Sequence, residues 1–96
     1  MATVLDRIKL AVRISHDKLD DDIKADIDSC IADLTMHGII GDVDHDPLIF
    51  SAVKLYCKAA YTDDVNKAAE YLRRYEALRD SLKMAAGNGW EGGTDE

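Results

Sequence analysis

The scarcity of turn-forming residues is the feature that most constrains the fold of this chain. Of its 96 residues one is Pro and six are Gly, and four of those glycines fall within the last ten positions. Turn-rich β designs need Gly and Pro at short intervals, so this distribution indicates long, uninterrupted elements. A chain of this length is also too short for two independent cores. We therefore predict a single all-α domain.

Apolar side chains recur at steps of three and four residues in four segments, which is the period of an amphipathic helix. The predicted helices cover about residues 3–13, 20–36, 47–61 and, after a cap among residues 62–64, a last segment to about residue 86. The third segment is apolar on two sides, so it should lie at the centre of a compact bundle of about four helices. The chain then divides into a helical domain, residues 1–86, and a flexible Gly-rich tail, residues 87–96.

Cap residues mark the ends of these helices. Asp46 followed by Pro47 predicts the N-cap and the first residue of the third helix. Gly38 predicts the end of the second helix, since Gly readily takes the left-handed conformation that follows a helix. Asp17 or Asp20 is the expected cap at the start of that helix.

The residue types that perform catalysis or bind metals are poorly spaced for either role. Asp42, Asp44 and Asp46 have the spacing that opens an EF-hand loop, but the sixth loop position is Pro47 and the twelfth is Val53. Calcium needs Gly and a bidentate Glu at those positions. The three His lie in predicted turns and lack helical metal-site spacing, and no catalytic triad or phosphate loop occurs. We therefore expect that this protein is not an enzyme and that it binds neither a metal nor a cofactor.

The cysteines and the apolar segments indicate a soluble intracellular protein. Cys30 and Cys57 have no CxxC spacing and fall on helical apolar faces, which favours two small buried side chains over a disulfide. Charged residues interrupt the first apolar run, so we expect no signal peptide, and no apolar stretch approaches membrane-spanning length.

Acidic residues are concentrated in the first half of the chain. The net charge is −7, and residues 1–48 contain eleven acidic and five basic side chains. Cations are needed to bind nucleic-acid phosphates or an anionic membrane, so this balance argues against a surface that grips either. Dipole stabilisation at the start of the second helix explains Asp20, Asp21 and Asp22 without any function.

Three further features have both a structural and a functional interpretation. Asp22, Asp26 and Asp33 line one flank of the second helix, as a solvated face or as a functional acidic surface. Arg79 lies close to the apolar face of the fourth helix, where it either covers the core or meets a carboxylate on a neighbouring subunit. Trp90 is a large aromatic in the Gly-rich tail, either an anchor for a partner or part of a tail without function.

The order and spacing of several stretches resemble one known family. These stretches are VLDRIKLAVRI, DDDIKADIDSCIADL, GII, DPLIFSAVKLYCKAAY and AAEYLRRYEALRDSLKMA, and they span about residues 4–86. The pattern is similar to the small head-tail connector, or head-completion, proteins of tailed bacteriophages and prophages, which are also described as DNA-packaging proteins. None of the stretches is a catalytic signature.

The resemblance implies an all-α structural protein of the virion that assembles in the host cytoplasm. Family members form a homo-oligomeric ring under the portal. This ring is a dodecamer in the virion, and the isolated chains can be monomeric. The ring contacts the portal protein and a tail-completion or stopper protein, and it encloses passing genomic DNA without sequence-specific binding. An acidic channel surface would repel phosphates, which gives the aspartates of the second helix a role. The alternatives are a helical interaction or regulatory module without a ring, and a metal-dependent enzyme.

Overall fold

The computed structural model describes residues 3–87, and over this range it has four α-helices and no strand. The helices are α1 (Val4–Val12), α2 (Asp20–Met36), α3 (Pro47–Tyr61) and α4 (Val65–Gly87). The predicted all-α fold is confirmed, and each helix lies close to its predicted bounds.

Helix α3 is the centre of the bundle, as predicted. It packs against each of the other three helices, whereas α4 packs chiefly against α3. The core is formed by eleven buried residues: Ile8, Ile23, Ile27, Cys30, Leu34, Ile39, Ile49, Ala52, Val53, Cys57 and Tyr75. Four of these belong to α3, so a polar group placed on its buried side would disturb the contacts of the whole domain.

Local hydrogen bonds explain where three of the helices begin or end. Thr3 and Asp6 form a capping box at the start of α1, each side chain accepting from the other's backbone N–H. Asp46 accepts from the backbone N–H of Leu48 and so caps α3, as predicted. Gly38, at φ +80°, follows α2, and the N–H of Ile39 donates to the carbonyl of Leu34, forming a Schellman motif.

Two details of the sequence interpretation were wrong. The N-cap of α2 is Leu19, without a side-chain cap, because Asp20 lies in the first turn and its carboxylate forms an ion pair with Lys9 at 2.7 Å. The second detail is Leu72, whose place in the apolar period of the fourth helix predicts a covered side chain, but this side chain is 43% exposed. Since α4 packs mainly on one helix, only a narrow stripe through Tyr75 and Leu78 is covered.

Candidate functional site

Asp33 lies where α2 meets α4 and accepts hydrogen bonds from two side chains of α4. The Tyr75 hydroxyl donates to Asp33 Oδ2 over 2.6 Å, and Arg79 Nη1 donates to the same oxygen over 3.3 Å. His37, which follows α2 directly and lies one turn after Asp33, places its Nδ1 3.7 Å from Asp33 Oδ1. This polar contact joins two helices that share few other contacts, so it fixes the position of α4 against α2.

The electrostatics of this contact favour an ionised Asp33. The hydrogen bond from Tyr75 is the main cause that holds the pKa of Asp33 below its usual value, and Arg79 and His37 act in the same direction. The pKa of Tyr75 is raised, first by burial and then by its bond to Asp33, so the phenol stays protonated and donates. The Tyr75 ring also packs edge-on against Tyr56, with 5.3 Å between ring centroids.

The rest of the predicted acidic row faces tyrosines of α3. Asp26 is half-buried beside Tyr61, whose pKa is raised by burial and then by Asp26 and Asp22. Asp22 itself is exposed. The row predicted from Asp22, Asp26 and Asp33 therefore exists on one flank of α2, but its exposure falls from the first member to the other two. A channel-facing or interface role for these three residues stays a prediction.

Of the two residues predicted to bind a partner, only Arg79 lies within the described part of the chain. The side chain of Arg79 is only 21% exposed, and it pairs with the carboxylate of Asp33 in its own chain. The Nε of Arg79 also lies 3.5 Å from Oδ1 of Asp80. The guanidinium carbon of Arg79 lies 5.8 Å from the centroid of the buried Tyr75 ring, and a contact of Arg79 with a neighbouring subunit stays a prediction. Trp90 lies outside the described residues.

The cysteines are free thiols inside the bundle. Cys30 and Cys57 are both fully buried and not joined to each other. Burial raises the pKa of Cys30 to about 11 and that of Cys57 to about 12. Both groups therefore stay protonated near neutral pH and act as small apolar side chains, which confirms the interpretation from spacing.

The aspartates of the α2–α3 connection serve the turn and the helix cap. Asp42 accepts from the backbone N–H of Asp44 over 2.9 Å and contacts His45 Nδ1 over 2.6 Å. The Asp46 carboxylate accepts from backbone N–H groups at the start of α3 and so caps this helix. Among residues 3–87 no three His, Cys, Asp or Glu side chains are grouped as a metal site requires.

A groove of about 550 Å³ opens between the C-terminal ends of α1 and α3 and the first turns of α4. Its walls include three cations, Arg13, Lys58 and Lys67, together with Tyr61 and Tyr71. The sequence interpretation did not find this groove, because each cation belongs to a different part of the chain. The one available signal was the run of apolar and basic residues that closes α1.

Several large apolar side chains are exposed on the described part of the chain. The most exposed are Leu10, Met36, Ile40, Leu48, Val65, Leu72 and Met84. Met36, Ile40 and Leu48 surround the α2–α3 connection, whereas Leu10 and Val65 lie near the other end of α3. No helix within residues 3–87 combines the length and the apolar character that crossing a bilayer requires.

Comparison with protein families matches residues 4–89 to the family described as phage connector protein, a structural family of the virion whose members contact head and tail proteins. Searches of curated proteins and of solved structures give no match. The family match includes all four helices and confirms the resemblance drawn from the sequence. This chain therefore belongs to the phage connector protein family.

Proposed function

We propose that the protein assembles as a ring beneath the portal after DNA packaging and joins the head to the tail. The portal protein lies on one side of this ring and a tail-completion or stopper protein on the other, while DNA passes through its centre. Subunits assemble in the host cytoplasm and remain in the virion. The family match over residues 4–89 carries this proposal.

The distribution of exposed apolar side chains supports assembly. A closed ring needs a heterologous interface, in which two different surfaces of each subunit contact its two neighbours. Apolar groups are exposed at both ends of α3, with Leu48 near its start and Leu10 near its end. Each end therefore offers a surface on which burial in an interface would be favourable.

The charge of the chain supports passage of DNA without gripping it. At a net charge of −7 the protein as a whole repels phosphates. The flank of α2 that carries the predicted row has exposed Asp22 together with half-buried Asp26 and Asp33. We propose that this acidic side of α2 lines or approaches the channel.

Complementation of a phage that lacks this chain tests the proposed role. We expect DNA-filled heads without attached tails, and restoration of tailed particles when the chain is supplied in trans. Sedimentation with and without purified portal protein distinguishes the connector role from the remaining alternative, a helical module that forms no ring. A helical module without a ring would stay monomeric beside the portal, and normal tail joining in the phage lacking the chain would rule out the connector role.

A further inference from the structure

We propose that the cationic groove binds the acidic tail of a second copy of this chain, residues 88–96, with Trp90 as its anchor. The inference rests on the proposed ring and names the contact that links neighbouring subunits. It follows from the charges of the groove, the composition of the tail and the length of α4.

The groove has the chemistry to receive an acidic peptide. Arg13 and Lys67 are exposed, and Lys58 Nζ lies 5.4 Å from the centroid of the Tyr71 ring. The groove also contains one carboxylate, Asp63, so the cations outnumber the acids three to one. Within residues 3–87, none of the three cations forms a salt bridge.

The tail has the complementary composition. Residues 88–96 contain three acidic side chains, no basic one, and Trp90, which is the only Trp of the chain. Buried aromatics dominate the binding energy of many interfaces, and acidic groups around one would meet the cations of the groove. The groove volume of about 550 Å³ lies within the range of ligand pockets. Leu10, 77% exposed, provides an apolar wall for the indole.

With Trp90 as the anchor, the length of α4 requires that the bound tail come from another copy. Tyr71, at the groove, precedes Gly87 by 16 residues of continuous helix, a distance of about 24 Å at 1.5 Å per residue. Trp90 follows Gly87 by three residues, which span at most about 11 Å when fully extended. Trp90 therefore cannot reach the groove of its own chain. A tail seated in the groove of the next copy forms a heterologous interface, the kind that closes a ring.

The backbone at Arg13 supports a binding role for its side chain. Arg13 ends α1 at φ 61°, in the left-handed region, and is the only residue other than Gly with positive φ in the described part of the chain. Glycine would adopt this conformation without steric cost. An Arg at this position adds a cation to the groove at the expense of backbone strain, and such strain is often found where function requires it.

Intrinsic fluorescence tests the proposal with the full-length chain. A Trp90→Phe variant contains no Trp, so a synthetic peptide of residues 87–96 carries the only indole in the mixture. We expect a saturable blue shift of the peptide emission as the variant is added, weakened by salt because the contact is ionic. No saturable change at millimolar protein would overturn the proposal.

Charge reversal locates the binding site. Adding Arg13→Glu and Lys67→Glu to the Trp90→Phe chain should weaken peptide binding by about tenfold or more. Lys24→Glu with Lys83→Glu changes the net charge equally at exposed sites outside the groove and should leave binding nearly unchanged. A peptide with Glu91→Lys, Asp95→Lys and Glu96→Lys should bind the reversed groove better than the original groove. Equal weakening by both protein variants would overturn the site, and helical circular dichroism checks that each is folded.

Head completion separates this inference from the connector role. If the peptide does not bind while a Trp90→Ala chain still restores tailed particles, the docking inference fails and the connector role stands. If the peptide binds as expected but the wild-type chain never restores tail joining, the connector role fails.

Discussion

The charged side chains at the two ends of this bundle differ in whether they have partners within the described part of the chain. At the α2–α4 contact, Asp33 accepts from Tyr75 and Arg79 of the same chain. At the groove, Arg13 and Lys67 have no carboxylate partner within residues 3–87. Polar groups satisfied inside the chain hold helices together, whereas charges left in a groove are available to a partner. Changes at the first end should therefore affect stability, and changes at the second should affect assembly.

The largest effect is expected from a substitution in α3, on which both ends depend. Val53 is fully buried, so Val53→Asp places an unpaired carboxylate in the core at a cost of several kcal/mol, comparable with the stability of a small domain. We expect loss of the helical circular dichroism signal. Val65→Asp is the matched control, because Val65 is 82% exposed in the first turn of α4 and an acid there favours the helix dipole. A folded Val53→Asp chain would show that the core is misplaced.

Removing the acceptor at the α2–α4 contact should have a smaller but clear effect on stability. Asp33→Ala leaves the buried Tyr75 hydroxyl and the half-buried Arg79 without their acceptor, so we expect a loss of about 1–3 kcal/mol in denaturant unfolding. Asp28→Ala, at an exposed position of the same helix, should change stability by less than about 0.5 kcal/mol. Equal values for the two variants would mean that the contact does not hold α4 in place.

The pH dependence of stability tests the ionisation of Asp33. Its pKa is lower in the folded chain than the usual 3.8, so the unfolded chain binds more protons in acid. The contribution of Asp33 is thus fully present above its unfolded pKa and is lost as pH falls through its folded pKa. We expect the difference in unfolding free energy between wild type and Asp33→Asn to be constant above about pH 5 and to shrink below about pH 4. A difference that stayed constant to the lowest pH would contradict this sign.

The smallest expected effect is a gain in stability at the groove. Arg13→Gly removes the strain of a left-handed Arg but adds the conformational entropy of Gly, so we expect at most about 1 kcal/mol of stabilisation. The same variant should bind the tail peptide more weakly, because it removes a cation. If the variant is more stable but binds the peptide as strongly as before, the strained backbone at Arg13 has no role in docking.

Local sequence signals predicted most of the fold. The period of apolar residues placed all four helices, and Asp46, Pro47 and Gly38 marked helix ends because each acts on its own neighbours. Competition from a distant residue was not visible in the sequence. Asp20 was one expected cap of α2, but it pairs with Lys9 of α1.

The candidate sites were less predictable, because their residues come together only in three dimensions. Asp33 and Tyr75 are 42 positions apart, and nothing local to either one predicts their hydrogen bond. The row that contains Asp33 was recognised, but its partial burial against tyrosines depends on how α2 packs against α3 and α4. The groove joins residues of three helices, so its cations carried no joint signal in the sequence.

Electron cryo-microscopy of the neck of the intact virion is the most direct test of the central claim that this connector works as a ring. We predict a closed ring of four-helix subunits beneath the portal, with the acidic side of α2 toward the channel and density for a neighbouring chain in each groove. A neck without this chain between portal and tail, or copies that do not contact one another, would contradict the account.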